Sequence, residues 1–546
     1  MPVSTISRLE SRAEGFAPVL RFLTPFLILP SFIVLIGCAS SGDRPASEAD
    51  AHLTKEMFER GFEDVEAFYI TRPDLSQLAM AGMQQLTSLD PDIAAVQIDN
   101  QVNLSVNQQI VDSFPVQSDF KADDWGKLTA KLTDEAIVES PKLGQTPVEK
   151  IYEAMFTGVV SKLDPFSRYA SADAARENRA VRDGFGGIGV RISVEDGVVR
   201  VISVMHYTPA ERMGLKRDDV IVKIDGHSTE GLSQSDVVDR LRGPVDSKVS
   251  LGVKRADVAE PISVTLVRSH VVPETVSYRR DGDIAYLRIY SFNSETSDSL
   301  KRSIYDAKTE IGSRLAGYVL DLRDNPGGLL NQSVATANLF LEDGRIVSTH
   351  GRHPDSHQYF EATGGDIADG RPIVVLIDGN SASAAEIVAA ALQDNRRAVV
   401  IGTNSYGKGT VQTVLAMPNK GEIVLTWARF HAPSGYTLHH LGVLPSICTS
   451  GRSDSDALVQ DLLLGRLTPV PTAQRNAVNP EDTAALDALR KTCPARTNDS
   501  PVDMEVAERL LRQPTLFASA MRLAEPPSTA ANDDQADEDD LSALVN

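Results

Sequence analysis

The chain reads as an α/β protein with a small β-rich insertion and helical flanks, and three patterns carry that expectation. Short apolar runs at 284–289 (IAYLRI), 317–322 (GYVLDL), 372–377 (PIVVLI) and 398–401 (AVVI) have the length of buried strands, with helical stretches between them at 297–311 and 384–393. Alternating apolar strands separated by glycine-rich turns occupy 185–270. Helical periodicity dominates 51–178 and returns at 458–467 and 502–511. A chain of 546 residues is too long for one core and divides into several units. Its 42% hydrophobic and 24% charged residues are those of an ordinary soluble globular protein. A formal net charge of −21 argues against a nucleic-acid partner, because phosphate binding needs clustered Lys and Arg.

At the amino end, Arg8, Arg12 and Arg21 precede an apolar stretch, 22–37, interrupted by Pro25 and Pro30. Charge followed by a short apolar run is the order of a signal peptide, assigned to 1–37. A transmembrane anchor is the competing reading, and the two prolines weaken it. Leu35-Ile36-Gly37-Cys38 resembles the lipobox of bacterial lipoproteins. That resemblance implies cleavage before Cys38, lipid on its sulfur and a periplasmic protein anchored to the cell envelope. Ala39 after the cysteine favours the outer membrane in a two-membrane host, and 38–50 is a polar tether. Beyond Cys38 only Cys448 and Cys493 remain, an even pair in a compartment that permits disulfides; a disulfide and two separate buried thiols both fit.

The region 51–178 is expected to be helical. Its clearest helix, 149–162, has one apolar face and leads into Leu163-Asp164-Pro165-Phe166-Ser167-Arg168-Tyr169, whereas 93–146 is polar and gives no assignable element.

In the insertion, Phe185-Gly186-Gly187-Ile188-Gly189-Val190 forms a glycine-rich turn whose backbone N–H groups can take a carboxylate, followed by a strand able to pair with an extended peptide. Val199 to Val204, Thr208-Pro209-Ala210-Glu211-Arg212-Met213-Gly214-Leu215, Asp219-Val220-Ile221-Val222-Lys223-Ile224-Asp225-Gly226 and a helix at 233–241 follow in order. The series resembles a PDZ domain, placed at 184–272. The resemblance implies a groove for a protein carboxy terminus, with Gly187, Ile188, Gly189 and Val190 on one side and Val237, Val238 and Leu241 on the helical side.

The region 276–450 carries the chemistry. The turn Asp378-Gly379-Asn380 delivers the chain from a strand into a helix and places Ser383 at the junction, where a hydroxyl and the first helical N–H groups face the same space. A serine needs a base, and Lys408 is the candidate. It lies in Tyr406-Gly407-Lys408-Gly409-Thr410, where flanking glycines admit close backbone approach, and a dry setting would lower its pKa from about 10.4 towards a useful base. Gln412, four positions on, could hold the neutral amine.

Ser381-Ala382-Ser383-Ala384-Ala385-Glu386-Ile387 followed by Tyr406-Gly407-Lys408-Gly409-Thr410-Val411-Gln412 resembles the carboxy-terminal processing peptidases, the tail-specific protease family S41. The resemblance implies a ClpP/crotonase-like core, a Ser383 nucleophile, a Lys408 base supported by Gln412, and no cofactor or metal. Asp321-Leu322-Arg323-Asp324-Asn325-Pro326-Gly327-Gly328 matches the family's DLR-NPGG loop and implies an oxyanion hole from the N–H groups of Gly327 and Ala384. The 163–169 segment also has its counterpart in the family. Where the family turn has Arg after Pro-Ser-Gly this chain has Tyr436, and Ser446 stands for the usual Asp after Pro445.

Histidine offers rival chemistry, but none of the ten lies in a small-residue motif near Ser383. His350, His353 and His357 have near-ligand spacing in a polar loop without a Cys or carboxylate frame, so no metal is expected. Beyond the core, 451–520 is expected to be helical and 521–546 to be a disordered acidic tail. The function expected is a serine endopeptidase of the envelope that selects substrates by their carboxy-terminal residues. The alternative is an inactive PDZ scaffold that binds protein tails, and the joint presence of Ser383, Lys408 and Gln412 argues against it. Partners would be proteins or peptides with a free carboxy terminus and, through Cys38, the membrane; an adaptor protein or a homo-oligomer stays open.

Overall fold

The apolar runs of the core are continuous because both faces of their sheet are covered. In this computed structural model, which describes residues 48–468 and 472–523, six strands run in the order Val276–Asp281, Ile284–Ile289, Gly317–Asp321, Ile373–Ile377, Val399–Gly402, Ile447–Cys448. The first pair is antiparallel and the others are parallel. Leu287, Leu320, Val375 and Val400 face the helices Thr296–Ile311 and Ala384–Asp394. Their chain neighbours Val319, Val374, Leu376 and Ile401 face Leu458, Val502, Val506 and Leu510 of the helices Ser455–Leu463 and Pro501–Arg512. Alternation along each strand therefore supplies two buried layers. The region after 450 is the second layer of the core, where the sequence showed only helices.

A second, antiparallel sheet runs Gln358–Glu361, Arg345–His350, Glu422–His431, Thr410–Ala416, and Arg168–Ala170 pairs with Glu422–His431. Ile423 and Leu425 of this sheet, and Met417 just after the strand Thr410–Ala416, join the core of the amino-terminal helices Glu48–Phe68, Leu75–Gln84, Ala122–Glu139 and Val148–Val160.

The helical expectation for 51–178 needs correction at its centre. Ile93–Ile98, Gln101–Val106 and Gln109–Pro115 form a three-stranded antiparallel sheet. The second hairpin turns at Asn107 and Gln108, both with positive φ (50° and 65°), the geometry that matches strand twist in two-residue loops. Neither residue is a glycine, which hid the turn.

The insertion forms a sheet in the order Ile262–Val267, Lys248–Lys254, Val220–Ile224, Val198–Val204, Val190–Glu195, closed by the helix Gln234–Leu241. Phe185–Gly187 pairs with Ser269–Val271 at the module's entry and exit. Cys448 and Cys493 are joined by a disulfide, their Cα atoms 5.8 Å apart. No helix among the described residues is long and apolar enough to cross a membrane. The signal segment, Cys38, most of the tether and nearly all of the acidic tail lie outside the described residues.

Candidate active site

Ser383 sits where the strand Ile373–Ile377 passes into the helix Ala384–Asp394, with φ +55° and ψ −113°. A residue with a side chain adopts that φ only when its surroundings impose it. The Ser381 hydroxyl donates to Leu322 O (2.9 Å), and the Ala382 N–H donates to Asn325 O (2.9 Å), tying the turn to the 321–328 loop. On the other side the Tyr406 N–H donates to Ser381 O (2.9 Å), bringing in the lysine loop. Ser383 itself is 9% exposed.

The group that organises both loops is Glu386, which has no exposed surface. Its Oε2 accepts the N–H groups of Ser383 (2.7 Å) and Lys408 (3.0 Å). Its Oε1 accepts the Gly407 N–H (2.7 Å) and the Ser405 hydroxyl. The backbones of Ser383 and Lys408 thus meet on a single oxygen. Burial pushes the Glu386 pKa above the ordinary carboxylate value while its donors pull it down. Sequence reasoning missed this residue, although the spacing Ser383-x-x-Glu386 is that of a capping box.

Lys408 is largely withdrawn from solvent, and its pKa is lowered first by burial and then by Arg168, against raising contributions from Glu386 and Asp164. Its Nζ lies 5.1 Å from the centroid of the Phe166 ring. Among the described residues no hydrogen bond joins it to Ser383 Oγ. The 163–169 segment therefore forms the wall against which the amine rests.

Two expected contacts differ. The Gln412 amide donates to the hydroxyls of Thr410 (2.9 Å) and Thr426 (3.3 Å), not to a group on Lys408. Gln412 lies on the strand Thr410–Ala416, and Thr426 on the strand paired with it stands directly opposite and captures the amide. Gly327 does come beside Ser383, since a Cβ on it would fall 2.9 Å from Ser383 Cβ and 3.0 Å from Ala384 N. Its N–H, however, donates to Asn325 Oδ1 (2.9 Å), because an Asn side chain readily closes on the backbone two residues later. The N–H groups of Gly328 and Ala384 have no partner among the described residues.

The histidines approach the site in space though not in sequence. The His440 N–H donates to Gly407 O (3.0 Å), and His439 lines a cavity of about 570 Å³ with Phe166, Tyr406, Gly407 and Arg490. Burial pushes the His439 pKa down to about 4, so it is neutral at pH 7. Among the described residues no group of three His, Cys, Asp or Glu side chains is placed to hold a metal ion.

In the insertion, Gly187, Ile188, Gly189, Val190, Val238 and Leu241 line a groove of about 200 Å³. Val237 does not: it is fully buried in the module's own core, because the helix turns that side inwards. Arg242 lines the groove instead, its guanidinium 4.2 Å from the Phe185 ring centroid and 2.5 Å from Glu177. The substituted Tyr436 is 2% exposed and lies beneath Arg475, 3.7 Å from its ring centroid. Arg475 pairs with Asp394 (3.1 Å), so the cation missing from the 433–436 turn arrives from beyond residue 450.

The family model described as Peptidase family S41 matches residues 283–449, and that of the PDZ domain matches 179–254. A carboxy-terminal-processing protease of Bartonella bacilliformis is 42% identical over 301 residues, 55% of this chain and 69% of the relative. The carboxy-terminal processing protease CtpA of Bacillus subtilis is 32% identical over 313 residues, 57% of this chain and 66% of the relative. Among solved structures, a photosystem II D1 C-terminal processing protease aligns with 72% of this chain and 92% of its own, at 24% identity and a TM-score of 0.36.

Proposed function

Because the chain belongs to peptidase family S41, as a carboxy-terminal processing serine protease with a PDZ domain, we propose that it cleaves envelope proteins with a Ser383/Lys408 dyad. The observation that carries the dyad is the shared carboxylate: Ser383 and Lys408 are held by their backbone N–H groups on Glu386 Oε2, in a site dry enough to lower the lysine pKa. Ser383 Oγ attacks the peptide carbonyl, and neutral Lys408 takes its proton and later delivers it to the leaving amine. The flexible lysine stem carries the amine from Phe166 to the serine once substrate fills the cleft; catalytic hydrogen bonds commonly tighten at that stage. The N–H of Ala384 is one oxyanion donor, and the 326–328 loop supplies the other through Gly328. Gln412 supports the lysine indirectly, through the Thr426 hydroxyl that donates to Asp164 Oδ1 (2.9 Å) beneath the Phe166 wall.

The PDZ groove receives the substrate's carboxy terminus, and its apolar wall at Val238 and Leu241 selects apolar final residues. Export, lipid on Cys38 and a periplasmic location complete the reading, supported by the lipobox-like 35–38 and by the joined Cys448 and Cys493. The test is turnover of a peptide reporter by Ser383→Ala, Lys408→Ala, Lys408→Arg and the Ser383→Ala/Lys408→Ala pair. All should be inactive, and the double variant should be no worse than either single one. Guanidinium stays protonated, so substantial turnover by Lys408→Arg refutes the dyad.

A further inference from the structure

The segment between Arg490 and Asp503 lies outside the residues matched by the peptidase family model, yet it touches all three catalytic loops. Arg490 ends the helix Thr483–Arg490 and donates to Leu441 O (2.8 Å), His440 O (3.3 Å) and Ser405 O (3.1 Å). Ser405 in turn donates its hydroxyl to Glu386 and accepts the Val443 N–H (2.7 Å). A continuous set of hydrogen bonds therefore runs from Arg490 through Ser405 and Glu386 to the N–H groups of Ser383 and Lys408. Six residues on, Arg496 O accepts the Gly379 N–H (2.7 Å) in the turn that leads to Ser383. At the segment's end the fully buried Asp503 pairs with Arg323 (3.3 Å) of the 321–328 loop and with Arg496 (2.7 Å).

Between Arg490 and Arg496 stands Cys493, bonded to Cys448 on the last strand of the sheet across a sequence separation of 45. Between the helix that ends at Arg490 and the helix Pro501–Arg512, residues 491–500 are irregular chain held by hydrogen bonds, ion pairs and this one covalent bond. Opening the bond removes its one covalent tie to the sheet and leaves the segment held by hydrogen bonds, ion pairs and the packing of Cys493 against Leu444.

We propose that 490–503 is a strap that positions the catalytic loops, with Arg490 the positioning residue for the lysine-bearing loop and the Cys448–Cys493 disulfide its clasp, so that proteolysis depends on the oxidised pair. The inference rests on the Ser383/Lys408 reading. Unclasping needs a dithiol reductant: two thiolate exchanges break the S–S bond, leave two cysteine thiols and oxidise the dithiol to its own disulfide. Arg490 touches neither substrate nor reacting atoms, and its effect is transmitted through Ser405 and Glu386.

The experiment uses the full chain with its disulfide intact, the same protein reduced with dithiothreitol and alkylated, the Cys448→Ser/Cys493→Ser variant, Arg490→Met and Arg490→Lys. Ser383→Ala and Lys408→Ala serve as references. Turnover of a reporter with a free apolar carboxy terminus is followed across pH, and circular dichroism reports the folded fraction. In the reduced protein, the double cysteine variant and Arg490→Met, kcat should fall about 10–100-fold, as for displacement of a catalytic group by roughly 1 Å. KM should stay within about two-fold, since the PDZ groove is untouched, and the rising limb of the pH–kcat profile should move to higher pH as the loosened lysine meets water. Arg490→Lys should recover part of kcat, because a cationic donor group remains while the guanidinium fork that reaches three carbonyls is lost. An unchanged kcat in fully reduced, alkylated protein overturns the proposal. So does a loss that merely follows the folded fraction with the rising limb unmoved. If Lys408→Ala stays active, the dyad reading itself fails; if it is inactive while the Arg490 and cysteine variants behave as wild type, the strap alone fails.

Discussion

Glu386→Gln is the most informative single substitution, because it keeps shape and removes one acceptor from a carboxylate that serves both halves of the proposed dyad. The carboxylate accepts from Ser383 and Lys408 on Oε2 and from Gly407 and Ser405 on Oε1. An amide has one acceptor oxygen, so its NH2 group must face one of these pairs. With the oxygen towards Ser383 and Lys408, the Ser405 hydroxyl can turn to accept, and only the Gly407 N–H is left opposite another donor. A buried donor left without a partner costs about 1–3 kcal/mol. With the amide reversed, both the Ser383 and Lys408 N–H groups lose their acceptor and the cost doubles to about 2–6 kcal/mol. The first orientation should prevail. Removing a buried ionisation offsets part of the cost, since burial already pushes the Glu386 pKa up. The variant should therefore fold, with a urea midpoint lower by an amount equivalent to about 1–3 kcal/mol or less. With the lysine loop released on one side, kcat should fall about 10–100-fold while KM changes little. Glu386→Ala would orphan three backbone N–H groups at about 3–9 kcal/mol, comparable with the whole stability of a domain, and should not accumulate folded. Wild-type kcat in folded Glu386→Gln would refute the idea that this carboxylate couples the two loops.

Two further expectations concern pH and recognition. In the proposed dyad the active form of Lys408 is the neutral amine, whose fraction grows with pH; burial lowers its pKa, so kcat should rise through a limb below the ordinary lysine value of about 10.4. Phe166→Ala would admit water to the amine and should move that limb upwards, and a pH–kcat profile left in place by this variant would mean that Phe166 does not shield the base. Chelators should have no effect; loss on EDTA with recovery on zinc would favour the His350, His353 and His357 loop instead. For recognition, Val238→Asp places a charge on the groove wall and should raise KM at least about ten-fold for an apolar tail. It is a cleaner probe than Gly189→Val, where φ is +83° and a Cβ would fall 2.2 Å from Thr208 Cβ, distorting the module itself. Equal cleavage of a reporter with a free apolar end, its amidated form and one ending in Asp-Asp would show that the module does not read the terminus.

The sequence alone determined what depends on neighbours along the chain. Apolar runs of strand length, the Ser383 turn, the glycines around Lys408 and the ordered series of the PDZ module are local patterns, and period and turn chemistry are set within a few residues. Val237 and Val238 mark where that resolution ends, because one residue of helical phase separates a core position from a groove position. Tertiary structure decided everything that depends on which donors and acceptors meet. Asn325 takes the Gly327 N–H, Thr426 takes the Gln412 amide, and Glu386, an ordinary first-turn glutamate in the sequence, becomes the acceptor for both catalytic loops. It also decided that the chain beyond residue 450 forms the second face of the sheet and straps the active site, with Arg475 supplying the cation beside Tyr436 and Cys493 finding Cys448. The physical reason is that a buried polar group must be paired somewhere, but its own sequence does not say with whom; only the packed chain brings Arg490 to Ser405 across 85 positions.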